Sequence, residues 1–201
     1  MVAQRLPQFM SVDEWRELQR SSHDVKHEYI DGHVYAMSGG SLAHSRISLN
    51  ICNALEAARE AAGKSCFVYN SDAAARLSAR RYTYPDASVT CDEGDRPTPD
   101  KTEVQVPRVI VEVLSDSTEA YDRGRKFGYY RACPHVQEYV LIATMYQLVE
   151  VYRRMSPRWT YDAYGPGDEV ELMSIDVRLS VAAPYRNAGV VALMDDPEGE
   201  V

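Results

Sequence analysis

Apolar positions that recur every three to four residues predict two helices in the first third of the 201-residue chain. Ser11 is followed three residues later by Glu14, which is the capping-box signature of a helix N-terminus. A second, longer helix is predicted from about Ser41 to Ala62, where apolar side chains keep a helical spacing. Gly63 follows directly and provides a C-terminal stop.

Alternating apolar and polar residues predict strands before and after the long helix. Asp31 and Gly32 separate two alternating runs, and this dipeptide between strand-like segments indicates a hairpin. Residues 65–78 are predicted as one or two strands with a break near Asn70. Residues 81–91 are predicted as one further strand.

The most apolar strand is predicted within "RVIVEVLSDST", where Val and Ile surround Glu112. Such a continuous β-branched run is typical of a strand that is buried on both faces. A third helix is predicted within residues 115–133, with Asp116 or Ser117 as its cap.

Four segments near the C-terminus complete the predicted elements. Residues 136–144 and 147–154 are predicted as two more strands, and residues 158–167 and 169–174 as a further antiparallel pair.

The order of these elements predicts an α/β protein with one central mixed sheet flanked by helices. No repeat or low-complexity linker interrupts the chain, so we expect a single domain over residues 1–201 with its core at about residues 9–183. The last residues, 195–201, are expected to be frayed.

A net charge of -8 argues against a dedicated nucleic-acid coating protein, which would be basic. An enzyme that contacts nucleic acid through a local basic patch stays compatible with it. For each candidate basic cluster, solvated surface charge is the simpler explanation. The clusters are Arg76, Arg80 and Arg81; Arg123, Arg125 and Lys126; and Arg153, Arg154 and Arg158.

The chain has no apolar stretch of membrane-spanning length and no apolar segment typical of a signal peptide, so we expect a cytoplasmic protein. Its four cysteines, Cys52, Cys66, Cys91 and Cys133, have long and irregular spacings. This spacing excludes a zinc-finger pattern, and we expect reduced, mostly buried thiols.

Glu112 raises a chemical question, because an unpaired buried carboxylate must gain a partner, bind a metal or take up a proton. Asp86 begins the preceding strand, and Lys126 lies one to two turns into the following helix. If the two strands are neighbours, the carboxylates of Asp86 and Glu112 meet at one end of the sheet. Repulsion would then raise their pKa values unless a cation lies between them.

A divalent cation suits this arrangement, because Mg²⁺ prefers hard oxygen ligands and retains several waters. Mn²⁺ is a possible substitute. Such an ion polarises a phosphoryl oxygen and lowers the pKa of a bound water, and a nearby lysine can stabilise charge that develops on phosphate. The ingredients of metal-assisted phosphodiester hydrolysis are therefore present in the sequence.

Asp86, Glu112 and Lys126 resemble the PD-(D/E)XK nuclease signature. The lysine of that signature normally stands two residues after the acid, where this chain has Leu114. The whole arrangement closely resembles the Uma-type putative restriction endonucleases, a bacterial family of that superfamily. In that family the lysine has moved to the following helix, which matches Lys126 in "DRGRKFGYYR".

The resemblance extends from about Phe9 to Tyr164 and rests on the order and spacing of several short motifs. These motifs are "HEYIDGHVYAMSGG", "AHSRISLNI", "YPDASV", "VEVLSDSTEAYDRGRKFGYYR" and "QEYVLI…VEVYRR". Two positions depart from the family pattern: Asp116 stands where a proline is usual, and Ala143 where an aspartate is expected.

The resemblance implies a restriction-endonuclease-like fold, a divalent metal, a DNA substrate and a homodimer. Asp86, Glu112 and the backbone carbonyl of Val113 would hold the metal. Lys126 would position the attacking water and offset phosphate charge. Glu28 resembles the N-terminal acid of the family, which would support the metal through a water or orient a basic group.

A simpler structural explanation stays open for each acid and for the lysine. Asp86 and Glu28 could be solvated carboxylates at strand edges, and Glu112 could form a structural ion pair with an arginine. Lys126 could form an ordinary surface pair with Asp122, four residues earlier on the helix.

His44, near the start of the long helix, either makes local hydrogen bonds or contacts a phosphate. Tyr121, Tyr129 and Tyr130 are expected to pack in the protein rather than stack on bases.

Two functions from different classes remain open: an endonuclease, and a non-catalytic binding module that retains the nuclease fold. The acidic net charge favours the module, because a nucleic-acid duplex is densely negative. A serine or cysteine hydrolase is poorly supported, because the sequence has no G-x-S-x-G motif.

Overall fold

The computed structural model describes residues 4–5, 9–22, 25–37 and 39–192, with the backbone alone for residues 4–5. The α-helices in these ranges are α1 (Val12–Ser21), α2 (Leu42–Ala61), α3 (Glu119–Tyr121), α4 (Phe127–Ala132) and α5 (Ala182–Tyr185). A π-helical segment, Asp122–Lys126, joins α3 to α4, and a 3-10 turn covers Glu93–Asp95. The predicted fraying of residues 195–201 lies outside the described residues.

Strands make up much of the remaining described chain. They are β1 (Gln4–Arg5), β2 (His27–Ile30), β3 (His33–Ala36), β4 (Phe67–Asn70), β5 (Ala74–Ser78), β6 (Arg81–Thr83), β7 (Ala87–Thr90), β8 (Glu103–Val104), β9 (Val109–Val113), β10 (Glu138–Ile142), β11 (Val149–Met155), β12 (Arg158–Tyr164), β13 (Glu169–Leu172) and β14 (Val177–Ser180).

These strands form two six-stranded sheets and one two-stranded sheet. The first sheet has the order β1-β3-β2-β6-β5-β8, and the second has the order β12-β11-β10-β9-β7-β4. Each six-stranded sheet is mixed, with one parallel pair: β5 with β8, and β9 with β10. The predicted α/β class with mixed sheet and flanking helices is confirmed, but the expectation of one central sheet was wrong. Periodicity identifies strands without showing which strands pair.

The helix starts predicted for α1 and α2 are confirmed. The Ser11 hydroxyl accepts a hydrogen bond from the Glu14 backbone N–H, and the Glu14 carboxylate accepts one from the Ser11 N–H at 2.7 Å. The Ser41 hydroxyl accepts from the His44 N–H at 3.1 Å and caps α2. Gly63 follows α2 with a φ of 64°, the left-handed conformation that ends many helices.

The predicted hairpin at Asp31 and Gly32 joins β2 to β3. Both residues have positive φ angles, 51° and 92°. A two-residue turn with left-handed backbone matches the twist of the flanking strands. The hairpin therefore forms where the local sequence predicts it.

Residues 81–91, predicted as one strand, form two strands in different sheets. β6 belongs to the first sheet and β7 to the second. Pro85 lies between them and has no backbone N–H to continue a sheet ladder. The chain therefore changes sheets directly before Asp86, which places this acid where the two sheets meet.

The predicted pairing of residues 158–167 with residues 169–174 was wrong. β12 pairs with β11, from Val149 opposite Tyr164 to Met155 opposite Arg158. β13 pairs with β14, a strand that was not predicted. Both are hairpins between neighbouring strands, so the error came from missing the short strand β14.

The expectation that all cysteines are reduced thiols was also wrong. Cys66 and Cys91 form a disulfide. They flank the antiparallel pair of β4 and β7, in which Phe67 lies opposite Thr90. Strand pairing brings the two sulfur atoms together, and their spacing in the sequence gives no indication of it. Cys52 and Cys133 are free, as expected.

The central strands of the second sheet, β7, β9 and β10, are buried on both faces, and the side chains of β9 alternate between these faces. Val109, Val111 and Val113 face α2, whose buried side chains include Ile47 and Ile51. Ile110 and Leu114 face the opposite side, where they pack with Tyr130 of α4. Side chains alternate along a strand, so Glu112 points toward the side where the π-helical segment and α4 pack. No helix in the described residues is long and apolar enough to cross a membrane.

Candidate active site

The antiparallel pairing of β7 with β9 brings the two strand acids together. Ala87 lies opposite Val111, so Asp86, one residue before β7, falls level with Glu112. The backbone N–H of Val113 donates to Asp86 Oδ2 at 2.8 Å and fixes this carboxylate against the end of β9. The strands are therefore neighbours, as the convergence of the two acids requires.

The Asp86 carboxylate is held from the side of α2. The Ser48 hydroxyl donates to Asp86 Oδ1 at 3.1 Å. His44 Nε2 lies 3.4 Å from Asp86 Oδ2. Asp86 is therefore a fixed, half-buried carboxylate rather than a solvated turn residue. His44 Nδ1 also lies 3.4 Å from the Ser48 hydroxyl, which is the local hydrogen bonding that was one of its two expected roles.

Glu112 is 4% exposed and makes its contacts on the opposite side of β9. Lys126 Nζ lies 2.9 Å from Glu112 Oε1. The Tyr130 hydroxyl donates to the same oxygen at 2.5 Å. The partner of the buried glutamate is therefore a lysine and a tyrosine rather than an arginine.

The π-helical segment and α4 together present three polar side chains to the site. Asp122, Lys126 and Tyr130 recur at intervals of four residues, and all three are buried. A π-helix has a wider turn than an α-helix, and short π segments often occur at functional sites. The alternative explanation of Lys126 as a surface pair with Asp122 is excluded, because Lys126 is 5% exposed and Asp122 is 4% exposed.

The start of this helix also differs from the prediction. The helix begins at Glu119 and its N-cap is Thr118, so neither Asp116 nor Ser117 is the cap. The Thr118 side chain accepts no capping hydrogen bond. The hydroxyls of Ser115, Ser117 and Thr118 instead bond to one another.

Glu28 reaches the site from the first sheet. Its carboxylate lies 3.1 Å from Lys126 Nζ and accepts a hydrogen bond from the Tyr84 backbone N–H at 3.2 Å. Glu28 lies in β2 between β3 and β6 and is buried, so the reading as a solvated strand-edge carboxylate was wrong. Lys126 thus bridges a carboxylate of the first sheet and a carboxylate of the second.

The site contains more negative than positive charge. Burial raises the pKa of Glu112 well above its ordinary value; Lys126 opposes this shift, while Asp122, Asp86 and Glu28 add to it. Burial also raises the pKa of Asp122, again against the effect of Lys126. One ammonium group is therefore shared among several carboxylates.

The pKa values of the two basic groups in the site, Lys126 and His44, are both raised. Burial disfavours the charged form of Lys126, but Glu112, Glu28 and Asp122 together raise its pKa well above the ordinary value. Burial likewise disfavours a charged His44, yet hydrogen bonding to Asp86 and to the Val113 backbone raises its pKa. Lys126 is thus held as an ammonium ion at neutral pH.

The oxygen donors near the end of β9 are two carboxylates and one backbone carbonyl. In the part of the chain that the structure describes, no group of three or more His, Cys, Asp or Glu side chains is placed to hold a metal ion, so an ion bound here would retain several waters. Asp86, Glu112 and the Val113 carbonyl provide oxygen ligands of the kind that Mg²⁺ prefers. Val113 presents its N–H to Asp86, and the C=O of a strand residue points to the same side as its N–H.

The basic clusters considered from the sequence are mostly not solvated patches. Arg153 is buried and pairs with Glu138, and Arg123 pairs with Glu119 and Glu150. Arg81 pairs with Asp31, and its guanidinium lies 4.8 Å from the centre of the Tyr129 ring. Only part of each cluster is therefore available to an external ligand.

Sequence reasoning overlooked Ser48, Asp122 and the hydroxyl of Tyr130 as members of the site. The recurrence of Asp122, Lys126 and Tyr130 at intervals of four was a usable signal, because such residues share one helix face. Ser48 stands four residues after His44 on α2 and follows the same rule. Tyr130 packs in the protein interior, as expected, but it also bonds to Glu112.

Two strand acids and a helix lysine at the end of a mixed sheet define an α/β protein of the nuclease-like class. A solved structure with this fold is a putative nuclease belonging to DUF820 from Anabaena variabilis ATCC 29413. The two structures superpose with a TM-score of 0.68 at 19% sequence identity, over 88% of this chain and 98% of that one. The similarity establishes that the two proteins share one mixed α/β fold.

The chain belongs to the Uma2 family, described as putative restriction endonucleases, whose model matches residues 12–182. Two uncharacterized proteins of Synechocystis sp. are relatives. The protein slr1290 is 40% identical over 86% of this chain and 88% of its own length. The protein sll1609 is 32% identical over 73% of this chain and 83% of its own length. The resemblance noted from the motifs is thereby confirmed.

Proposed function

We propose that this protein is a Mg²⁺-dependent endonuclease that hydrolyses phosphodiester bonds in DNA. The observation that carries the proposal is the position of Asp86 level with Glu112 at one end of the second sheet, with Lys126 Nζ 2.9 Å from Glu112 Oε1. A buried ammonium beside an excess of carboxylates is a poor arrangement for stability alone, because each added charge raises the cost of burial. It suits a site that binds a cation and a phosphate.

Each residue has a defined task in the proposed reaction. Asp86, Glu112 and the Val113 carbonyl would hold the ion, which when bound supplies Lewis acidity and a water of lowered pKa. The Lys126 ammonium would orient the attacking water and offset negative charge on the phosphate. Glu28 contacts Lys126 at 3.1 Å, which supports the second of its two expected roles, the orientation of a basic group.

Cleavage of supercoiled plasmid DNA in Mg²⁺ or Mn²⁺, with EDTA as the blank, tests this proposal. Asp86→Ala and Lys126→Met should each lower the rate by at least about 10²-fold, because each removes a ligand or a charge that acts on the phosphate. Lys64→Met is the matched control, since Lys64 forms an ion pair with the exposed Asp176.

Circular dichroism verifies that each variant is folded. Metal-dependent cleavage at the wild-type rate by a folded Asp86→Ala or Lys126→Met protein would refute the assignment. The Lys64→Met control should cleave as the wild type does.

A non-catalytic binding module is the second candidate function. It is favoured by the net charge of -8 and by the hydrogen bonds that already engage both oxygens of Asp86. Calorimetric titration with Mn²⁺ separates the two candidates. Absence of binding to the wild-type protein at millimolar Mn²⁺ would favour the module.

We also propose a homodimer, since cutting both strands of a duplex calls for two sites. Size-exclusion chromatography with light scattering measures the mass directly. A monomer at micromolar concentration, alone and with DNA, would contradict this proposal.

A further inference from the structure

The Tyr130 hydroxyl has a position that packing alone does not require. Tyr130 is fully buried between the second sheet and the first, and its ring lies 4.9 Å from the ring of Tyr139. A phenylalanine would fill the same space. The hydroxyl, however, donates to Glu112 Oε1 and lies 3.2 Å from the hydroxyl of Thr83.

We propose that Tyr130 is a positioning residue that, together with Lys126, fixes Glu112 Oε1 and so orients this carboxylate for the metal. This inference rests on the proposed function. Two donors on one oxygen set the rotation of the carboxylate, because a carboxylate with a single contact can pivot about it. The partner hydroxyl of Thr83 comes from β6, so the first sheet fixes the direction of the Tyr130 hydroxyl.

Asp86 and Glu112 are held by different kinds of contact, and this difference supports the inference. Val113 and Ser48 hold the Asp86 carboxylate through hydrogen bonds to its two oxygens. Glu112 is instead contacted through Oε1 by Lys126 and Tyr130. Groups that hydrogen-bond to metal ligands typically change metal affinity by about 10–100-fold when they are removed.

Tyr139 provides a matched control for Tyr130. It is equally buried, lies on β10 beside Tyr130, and its hydroxyl donates to the Asp122 backbone carbonyl at 3.1 Å. Tyr139→Phe therefore removes one buried hydrogen bond close to the site without removing a contact to a metal ligand. The pair Tyr130→Phe and Tyr139→Phe separates an effect on Glu112 from a loss of stability.

The experiment is a Mn²⁺ titration followed by calorimetry and by electron paramagnetic resonance, with thermal melting of each protein as the measure of folding. Tyr130→Phe should weaken Mn²⁺ binding by about 10-fold or more. Tyr139→Phe should bind Mn²⁺ as the wild type does. Thr83→Val, which preserves volume, should shift the affinity in the same direction as Tyr130→Phe and by less.

Each alternative outcome overturns a definite statement. Equal affinity of Tyr130→Phe, Tyr139→Phe and wild type would refute the role of Tyr130 and leave the proposed nuclease intact. An equal loss in both tyrosine variants would also refute it, since the effect would then follow from packing. A wild-type protein that does not bind Mn²⁺ would overturn the proposed function, and this inference with it.

Discussion

Two buried glutamates on the adjacent parallel strands β9 and β10 have opposite electrostatic surroundings. Glu112 stands near the C-terminal end of β9, and Glu138 at the start of β10. Both are almost completely buried, at 4% and 1% exposure. Burial alone therefore does not distinguish a structural acid from a candidate catalytic acid.

The Glu138 carboxylate has all the partners it needs. Arg153 Nε lies 3.2 Å from Oε1, which also accepts from the Met173 N–H. Oε2 accepts from the N–H and the hydroxyl of Ser174. The positive charge and four donors offset the cost of taking this carboxylate out of water.

The Glu112 carboxylate shares the Lys126 ammonium with Glu28 and Asp122. Its pKa is raised by burial, and the surrounding carboxylates raise it further against the effect of Lys126. A buried acid with a deficit of positive charge is suited to accept a cation. The comparison shows that the balance of partners around a buried carboxylate points to its role.

Truncation of Glu138, whose two carboxylate oxygens both have partners, should have the largest effect on stability. Glu138→Ala removes the buried one of the two carboxylates that pair with Arg153, the other being the exposed Asp162. Removal of one partner of a buried ion pair costs about 3–5 kcal/mol. Chemical denaturation should show this loss. Glu112→Gln, which retains volume and hydrogen bonding, should lose much less, and an equal loss in both variants would remove the contrast between the two sites.

Stabilisation by a bound metal should also distinguish Glu112 from Glu138, but here the substitution of Glu112 should have the larger effect. Mn²⁺ at about 100 times its Kd should stabilise the wild type by about 2.7 kcal/mol, because the ion binds the folded state alone. Glu138→Gln should retain this gain and Glu112→Gln should lose it, as measured by thermal melting with and without Mn²⁺. A full Mn²⁺ effect in Glu112→Gln would exclude Glu112 as a ligand.

Substitution of His44 tests the part of the site around Asp86, and the expected effect is smaller. His44→Gln removes a contact of 3.4 Å to Asp86, while Ser48 and the Val113 N–H still hold this carboxylate. We expect Mn²⁺ affinity to fall by about tenfold, the lower limit for groups that contact metal ligands. Calorimetry measures this change, and Ser48→Ala, which removes the donor to Asp86 Oδ1, gives a companion value.

The pH dependence of stability should show the smallest difference. The pKa of Glu112 is raised in the folded state, so its contribution is fully present below the ordinary value of 4.5 and is lost as pH rises through the raised pKa. Without divalent ions, the stability of Glu112→Gln relative to wild type should therefore rise as the pH increases above 4.5. A constant difference across this range would show that Glu112 titrates normally.

The elements that hold the site could be predicted because each depends on local sequence. The capped start of α2 and the apolar run of β9 were both correct. Asp86 and Glu112 were named from their places in predicted strands, whereas the choice of Lys126 depended on the resemblance to the nuclease family. The pairing of β11 with β12 and the disulfide of Cys66 with Cys91 were missed, because both depend on contacts between segments that periodicity does not specify.

The sequence by itself determined most of the segments that form helices and strands, since apolar periodicity and end signals act over a few residues. It also determined that a carboxylate would be buried in β9. Only the tertiary structure decided that Lys126 would be shared between Glu28 and Glu112, and that Tyr130 would reach the same oxygen. Those contacts join two sheets and a π-helical segment, and their energies depend on distances that arise when the chain is packed.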